Sequence, residues 1–225
     1  MKRRESRVTA DRFIDTMLAL ITESGGSQDV NLRQISRRIG CAHTNVYNYF
    51  ASYEDLRWAA FRRALRTYGE YLVHNLDNSL TPSVYIRRLI TNLATYPEEH
   101  QGLYRFIASD PIDIDVIPED ILMSVAAMKA WLFDVMEEAK APHLESADAE
   151  RIANIVLAYI DGETLNLING RIVPGEDIKG RVVENAMHLI NELGAPVTNP
   201  QRSTDHAIHQ VSYPVFDPSG VEGAK

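Results

Sequence analysis

The chain of 225 residues carries a single cysteine, Cys41. One thiol makes neither an intrachain disulfide nor a Cys-based zinc site, so a disulfide scaffold is excluded and the cytoplasm is the expected compartment. Long apolar runs are missing too. The longest early one covers only residues 17–21, after the basic start Met1-Lys2-Arg3-Arg4, so neither a signal-peptide apolar region nor a membrane span is expected. No stretch alternates with the period of a strand, and no internal repeat or low-complexity tract stands out. P-loop, G-x-G-x-x-G, H-E-x-x-H and G-x-S-x-G motifs are also absent. An all-α enzyme using carboxylates such as Asp113, Asp115, Asp161 and Glu163 therefore has no evident mechanism, and no cofactor or metal is expected.

With 45% hydrophobic residues, the chain is rich enough in apolar side chains to build a sizeable core in one or two domains, and a soluble globular protein is expected. The formal charge of −8 argues, taken whole, against a nucleic-acid partner. Resolved along the chain it reads differently. Residues 1–66 hold 12 Lys/Arg against 7 Asp/Glu, a net +5, whereas residues 67–225 hold 11 against 24, a net −13. Such a sign change points to a nucleic-acid module joined to something else.

The apolar spacing is helical almost throughout, and about nine helices are expected in an all-α fold. Phe13, Ile14, Met17, Leu18 and Ile21 form one stripe of a helix ending at Ser24-Gly25-Gly26. Asn31 caps a short helix over 32–39 that Gly40 stops, and a third short helix starts at His43 or Thr44 and runs to Phe50. Ser52 with Asp55 resembles a capping box and opens a long helix towards Leu76. Thr81-Pro82 starts a helix to about Tyr96, cut by Pro97, and 98–109 reads as another. Residues 110–118 read as a loop. Ile121, Val125, Met128, Leu132, Val135 and Ala139 mark the next helix, before a break at Pro142. Ser146 starts a helix that is apolar nearly all round over 152–160, and Val182, Ala186, Leu189 and Leu193 mark the last one. Beyond Gly194, four prolines and two glycines favour a loose tail over 195–225, on which Tyr213, Val215 and Phe216 are the side chains able to dock.

The helices over 32–39 and 44–50, separated by a glycine turn, have the dimensions of a helix-turn-helix, whose second helix enters the DNA major groove. In that second helix Val46 and Phe50 make an apolar edge, while Thr44, Asn45, Tyr47 and Asn48 point elsewhere with groups suited to base edges and phosphate oxygens. The run from Arg33 to Leu56, with its Gly40, the Tyr47-Asn48-Tyr49-Phe50 core, Ser52 and Leu56, resembles the DNA-binding domain of TetR/AcrR-type transcriptional regulators. The resemblance covers about residues 9–66.

It implies a three-helix DNA-binding head over 1–50, a connecting helix whose start reaches about residue 66, and a helical effector-binding and dimerisation domain over 51–194. It also implies double-stranded operator DNA, a homodimer and a small-molecule effector as partners, with repression as the expected activity. A regulator-like protein without DNA binding, acting as an interaction module, is the alternative. By position, Arg33 matches the DNA-facing site of the first motif helix. Thr44, Asn45, Tyr47, Asn48 and Tyr49 match the recognition helix, with His43 at its start, and Tyr53 stands where a phosphate-contacting Lys is usual. Ser36 replaces the usual Ala and Cys41 the usual Val.

Other residues carry two readings each. Arg3, Arg4 and Arg7 are either an arm reaching DNA or a solvated terminus. Arg62, Arg63 and Arg66 read as an exposed helix face, and Cys41 as a small packing residue before a redox switch. His206 and His209 lack a third metal ligand. Asp161-Gly162-Glu163 either faces solvent at a kink or lines a cavity. Trp131, Phe133, Met128, Met136, Tyr104 and Phe106 read as core or as the wall of a pocket between helices, and no ligand residue is assigned.

Overall fold

Thr9 accepts the Arg12 N–H at 3.2 Å and opens the first helix, α1 (Ala10–Ser24), in a computed structural model that describes residues 8–77, 79–111, 116–138, 145–171 and 177–194. Phe13, Ile14, Met17 and Ile21 are buried, as their spacing on one helical face requires. The next helix, α2 (Leu32–Ile39), begins with a full capping box. Asn31 Oδ1 accepts from the N–H groups of Arg33 and Gln34 at 3.1 and 3.2 Å, and Gln34 Oε1 accepts the Asn31 N–H at 2.9 Å. Gly40 ends α2 at φ +81°, a left-handed conformation in which any side chain would be strained.

The remaining described elements are a 3₁₀ helix η1 (His43–Asn48), then α3 (Tyr53–Val73), α4 (Pro82–Glu99), α5 (Gln101–Ala108), α6 (Glu119–Glu138), α7 (Ser146–Ile168) and α8 (Ile178–Leu193). The all-α expectation holds, and no strand occurs among the described residues. Two boundaries differ from the sequence reading. Pro97 lies inside α4 rather than ending it. It removes one N–H donor near the end of the helix, which continues only to Glu99. Asp161-Gly162-Glu163 does not interrupt α7 either. Asp161 and Gly162 are exposed, and Glu163 accepts from Arg181 at 2.9 Å, so the triplet sits on a polar face of a continuous helix.

The chain divides into two compact units, Met1–Tyr68 with Glu99–Ile121, and Gly69–Glu98 with Leu122–Lys225. In the first, α5 lies so close to α1 that a Cβ on Gly102 would overlap the Ile21 carbonyl oxygen. Phe61 and Phe106 pack edge to face at 5.5 Å, Tyr68 and Tyr104 at 6.1 Å. Tyr104 and Phe106 are therefore core residues of this unit.

In the second unit the buried Asn92 donates to the Leu72 carbonyl at 2.8 Å and to Asn75 Oδ1 at 2.9 Å. Arg87 pairs with Glu184 at 2.6 Å, and Asn185 donates to the Tyr159 hydroxyl at 2.9 Å. Trp131, Leu132 and Val135 are buried there with Val156, Ile160, Val182 and Ala186. Asp113, Asp115, Ala139, Pro142, His206, His209 and the whole 195–225 segment lie outside the described residues.

Candidate nucleic-acid interface

The interface is built on α1. Asn31, Gly40 and the buried Ile35 and Ile39 set α2 against it, and the Arg12 guanidinium donates to the Ile39 carbonyl at 3.2 Å, placing a cation at the C-terminal end of α2. From the Gly40 turn the chain enters η1, where Val46 is wholly buried and Phe50 meets Phe13 edge to face at 6.5 Å. This anchoring edge leaves His43, Thr44, Tyr47 and Asn48 exposed, with Asn45 half-buried. Tyr47 shows 54% of its surface.

The expected third helix is wound as 3₁₀ and stops at Asn48, with Tyr49 as its cap. Its composition explains the winding. Ala42 supplies no side-chain cap, and Thr44, Val46, Tyr47 and two asparagines are all weak α-formers. Asn48 Nδ2 donates to Asn45 Oδ1 at 2.6 Å, so the two amides are held together as one pair.

Two of the tyrosines matched to DNA contacts are engaged elsewhere. Tyr53 Oη donates to the Val30 carbonyl at 2.7 Å, and burial pushes its phenol above the ordinary range. Its single proton is engaged by Val30, so in this structure Tyr53 holds the α1–α2 loop on α3. Tyr53 and Arg57 also line a cavity of about 320 Å³ with Ser27, Gln28, Val30 and Pro111. Tyr49 Oη likewise donates to the Val8 carbonyl at 2.8 Å. Neither contact is visible in helical periodicity, because the partners lie 23 and 41 residues away in sequence.

The cations sort themselves by partner. Arg38 pairs with Glu23 in a two-pronged contact, 2.7 Å on one side, and this holds the exposed Glu23 carboxyl below its usual range. Arg62 pairs with Asp120, and Arg63 with both Asp11 and Asp15. Arg62 is exposed, as its helix face implied, whereas Arg63 is half-buried, and both are paired within the fold. Arg33 and Arg37 on α2 are exposed and make no ion pair among the described residues, so positive charge without an acidic partner lies on the helix preceding η1. Cys41 is half-buried, and its N–H donates to the Ser36 carbonyl at 3.0 Å. Ser36 itself is buried, with a hydroxyl that finds no hydrogen-bond partner. Among the described residues no acidic, His or Cys cluster suits a metal ion, and no helix is long and apolar enough to cross a membrane.

Solved structures of similar fold include transcriptional regulators of the TetR type. A TetR-like transcriptional regulator from Rhodococcus sp. RHA1 superposes with a TM-score of 0.61 over 82% of this chain and 95% of its own, at 16% identity. This chain has the TetR fold. The fatty acid degradation regulator FadR of Bacillus halodurans shares that TetR-like fold with a TM-score of 0.62 over 86% of this chain and 98% of its own, at 14% identity. In sequence, an uncharacterised HTH-type transcriptional regulator of Mycobacterium tuberculosis is 27% identical over 92 residues. That match spans 41% of this chain and 44% of the relative. No family model matches the chain. The Rhodococcus and Mycobacterium relatives are described as transcriptional regulators.

Proposed function

We propose that the chain is a sequence-specific DNA-binding transcriptional regulator of the TetR type. The observation that carries the reading is the two-sided character of η1, with Val46 wholly buried on one edge while Thr44, Tyr47 and Asn48 stand exposed on the other. Neutral amide and hydroxyl groups on a firmly seated element suit base edges, and the exposed Arg33 and Arg37 suit flanking phosphates. His43, Thr44, Asn45, Tyr47 and Asn48 form the reading set, with Arg33 beside it.

The regulator acts as a cytoplasmic homodimer on a palindromic operator, each copy placing η1 in a major groove about one helical turn, roughly 34–36 Å, from the other. Exposed Leu122, Met123 and Val125 on α6, with Ile155 on α7 and Leu193 on α8, supply apolar surface for a second copy. Repression is relieved by a small-molecule effector, which acts only through different affinities for two states of the protein. Domain bounds of 1–50 for the head, extended to about 66, and 51–194 for the body go with this reading.

The test is binding to the DNA flanking the gene at several salt concentrations, with wild type, Asn45→Ala and Tyr47→Ala. Sequence preference in the wild type that both variants lose supports the reading. No preference, with variants equal to wild type, rejects it.

A further inference from the structure

The cavity of about 320 Å³ in the first unit combines a cation with carbon surface. Ser27, Gln28 and Val30 line it from the α1–α2 loop, Tyr53 and Arg57 from the first turns of α3, and Pro111 from the chain beyond α5. All six residues belong to the same compact unit. The volume is at the small end of the range of about 300–1,000 Å³ in which proteins hold small molecules, so it suits a ligand of few atoms.

Arg57 is the one charged residue of the six, and its side chain keeps only 25% of its surface. Its Nη2 donates to the Pro111 carbonyl at 3.3 Å, while its Nη1 lies 3.7 Å from the Glu54 carboxylate, too far for a hydrogen bond. A guanidinium has five N–H donors, so most of them are not engaged. Glu54 is exposed on the same helix, and such a pair is weak in water and readily exchanged for a better-placed anion. Beside the guanidinium, the exposed Gln28 carboxamide makes no hydrogen bond among the described residues. Val30 is buried and Tyr53 has its hydroxyl on the Val30 carbonyl, so these two and Pro111 contribute mainly carbon to the wall.

A guanidinium fork with vacant donors, next to a carboxamide and an apolar wall, is matched by a carboxylate on a short carbon skeleton. A duplex phosphate is the competing anion, but a duplex backbone meets cations that project from the surface, as Arg33 and Arg37 do. Arg57 is set back. We propose that this cavity binds a small organic acid, with its carboxylate held by Arg57 and Gln28 and its apolar body against Val30, Tyr53 and Pro111. Bound there, the acid ties the α1–α2 loop to α3 alongside the Tyr53–Val30 bond. Asn31, the cap of α2, follows directly in that loop, so occupancy steadies the entry to the helix that carries Arg33. The site stands on the cavity and does not depend on the DNA-binding reading of η1.

The experiment titrates the full chain with butyrate and benzoate, with their neutral counterparts butyramide and benzamide, and with inorganic phosphate. Calorimetry gives affinities, melting temperatures report stabilisation, and backbone amide chemical shifts locate the ligand. At least one of the two carboxylates is expected to saturate the protein below about 10 mM and to raise its melting temperature, with neither amide doing so. Shift changes should centre on Gln28, Val30, Tyr53 and Arg57. Arg57→Gln should weaken carboxylate binding about 10- to 150-fold, the range for hydrogen bonds to a charged group, and Gln28→Ala only about 2- to 12-fold.

Saturation by neither carboxylate overturns the proposal, as does an amide that binds as tightly as its acid. Unchanged carboxylate binding by Arg57→Gln overturns it too. Phosphate bound at these residues in place of the carboxylates would assign the site to another anion. If the carboxylates fail while Arg57→Gln flattens the salt dependence of DNA binding by about 0.9, Arg57 is a contact to the duplex and the cavity is not a ligand site. Should Arg57→Gln not fold, the contrast between each acid and its amide on the wild type still decides.

Discussion

The Asp110 carboxylate accepts both the backbone N–H and the hydroxyl of Ser27, at 2.8 and 2.5 Å, across 83 residues of sequence. Both residues are buried, and Arg105 adds a hydrogen bond to the Gly25 carbonyl at 3.2 Å, so the end of α5 is clasped to the loop between α1 and α2. Removing the carboxylate strands two buried donors. Asp110→Ala should destabilise the protein by about 2 kcal/mol, while Asp110→Asn, which keeps an acceptor, should cost less. In thermal melts the Ala variant should fall by about 4–8 °C.

Tyr53→Phe removes the bond to the Val30 carbonyl and nothing else. A loss of about 0.5–1.5 kcal/mol in denaturant unfolding is expected, with DNA affinity and its salt slope as in the wild type. A loss of tenfold or more in DNA affinity for a properly folded Tyr53→Phe protein would restore the phosphate role expected from its position.

Ser36 runs the other way. Its hydroxyl is buried in the face of α2 without a hydrogen-bond partner, a costly state for a polar group. Ser36→Ala, the residue usual at this position in the family that the sequence resembles, should raise stability by about 1 kcal/mol. Chemical denaturation should show a higher midpoint at an unchanged slope.

Neighbours on η1 should separate folding from reading. Tyr47 is half-exposed, so Tyr47→Ala should change stability by no more than about 0.5 kcal/mol while weakening specific DNA binding about 5- to 150-fold, the range for removal of a base-reading group. Val46 is fully buried, and Val46→Ala should lower the melting temperature before any DNA is added. If Tyr47→Ala melts early and Val46→Ala does not, the orientation of η1 is wrong.

Tyr96 sets an alkaline limit. Burial, reinforced by the neighbouring Tyr71, pushes its phenol up to about 12. The folded value lies above the unfolded one of about 10, so the neutral ring stabilises the fold fully below pH 10. That contribution is lost as pH rises from about 10 towards 12, where the unfolded chain ionises first. Tyr96→Phe should flatten the fall in stability over this window. Phenolate absorbance should show one tyrosine fewer titrating late.

Local signals carried most of the head. The α1 stripe, the Asn31 capping box and the Gly40 stop are properties of a few adjacent residues, and the structure repeats them. Exposure of His43, Thr44, Tyr47 and Asn48 also follows from spacing around Val46. Less legible was anything requiring a distant partner. The hydroxyls of Tyr49 and Tyr53 have their acceptors in segments that periodicity does not bring together. Attachment of α5 to α1 depends on the missing side chain of Gly102, which in sequence is one glycine among 12. Pro97 misled because a proline is tolerated where only the final residues of a helix follow it.

On the proposed DNA reading, the 3₁₀ winding of η1 bounds the information that it can extract from an operator. At about 2 Å per residue, its six residues cover about 12 Å, or three to four base-pair steps. Residues three apart are eclipsed in such a helix, which stacks Thr44 over Tyr47 and Asn45 over Asn48 in two columns. Two columns of two side chains address a short word, and a code that brief recurs by chance throughout any genome.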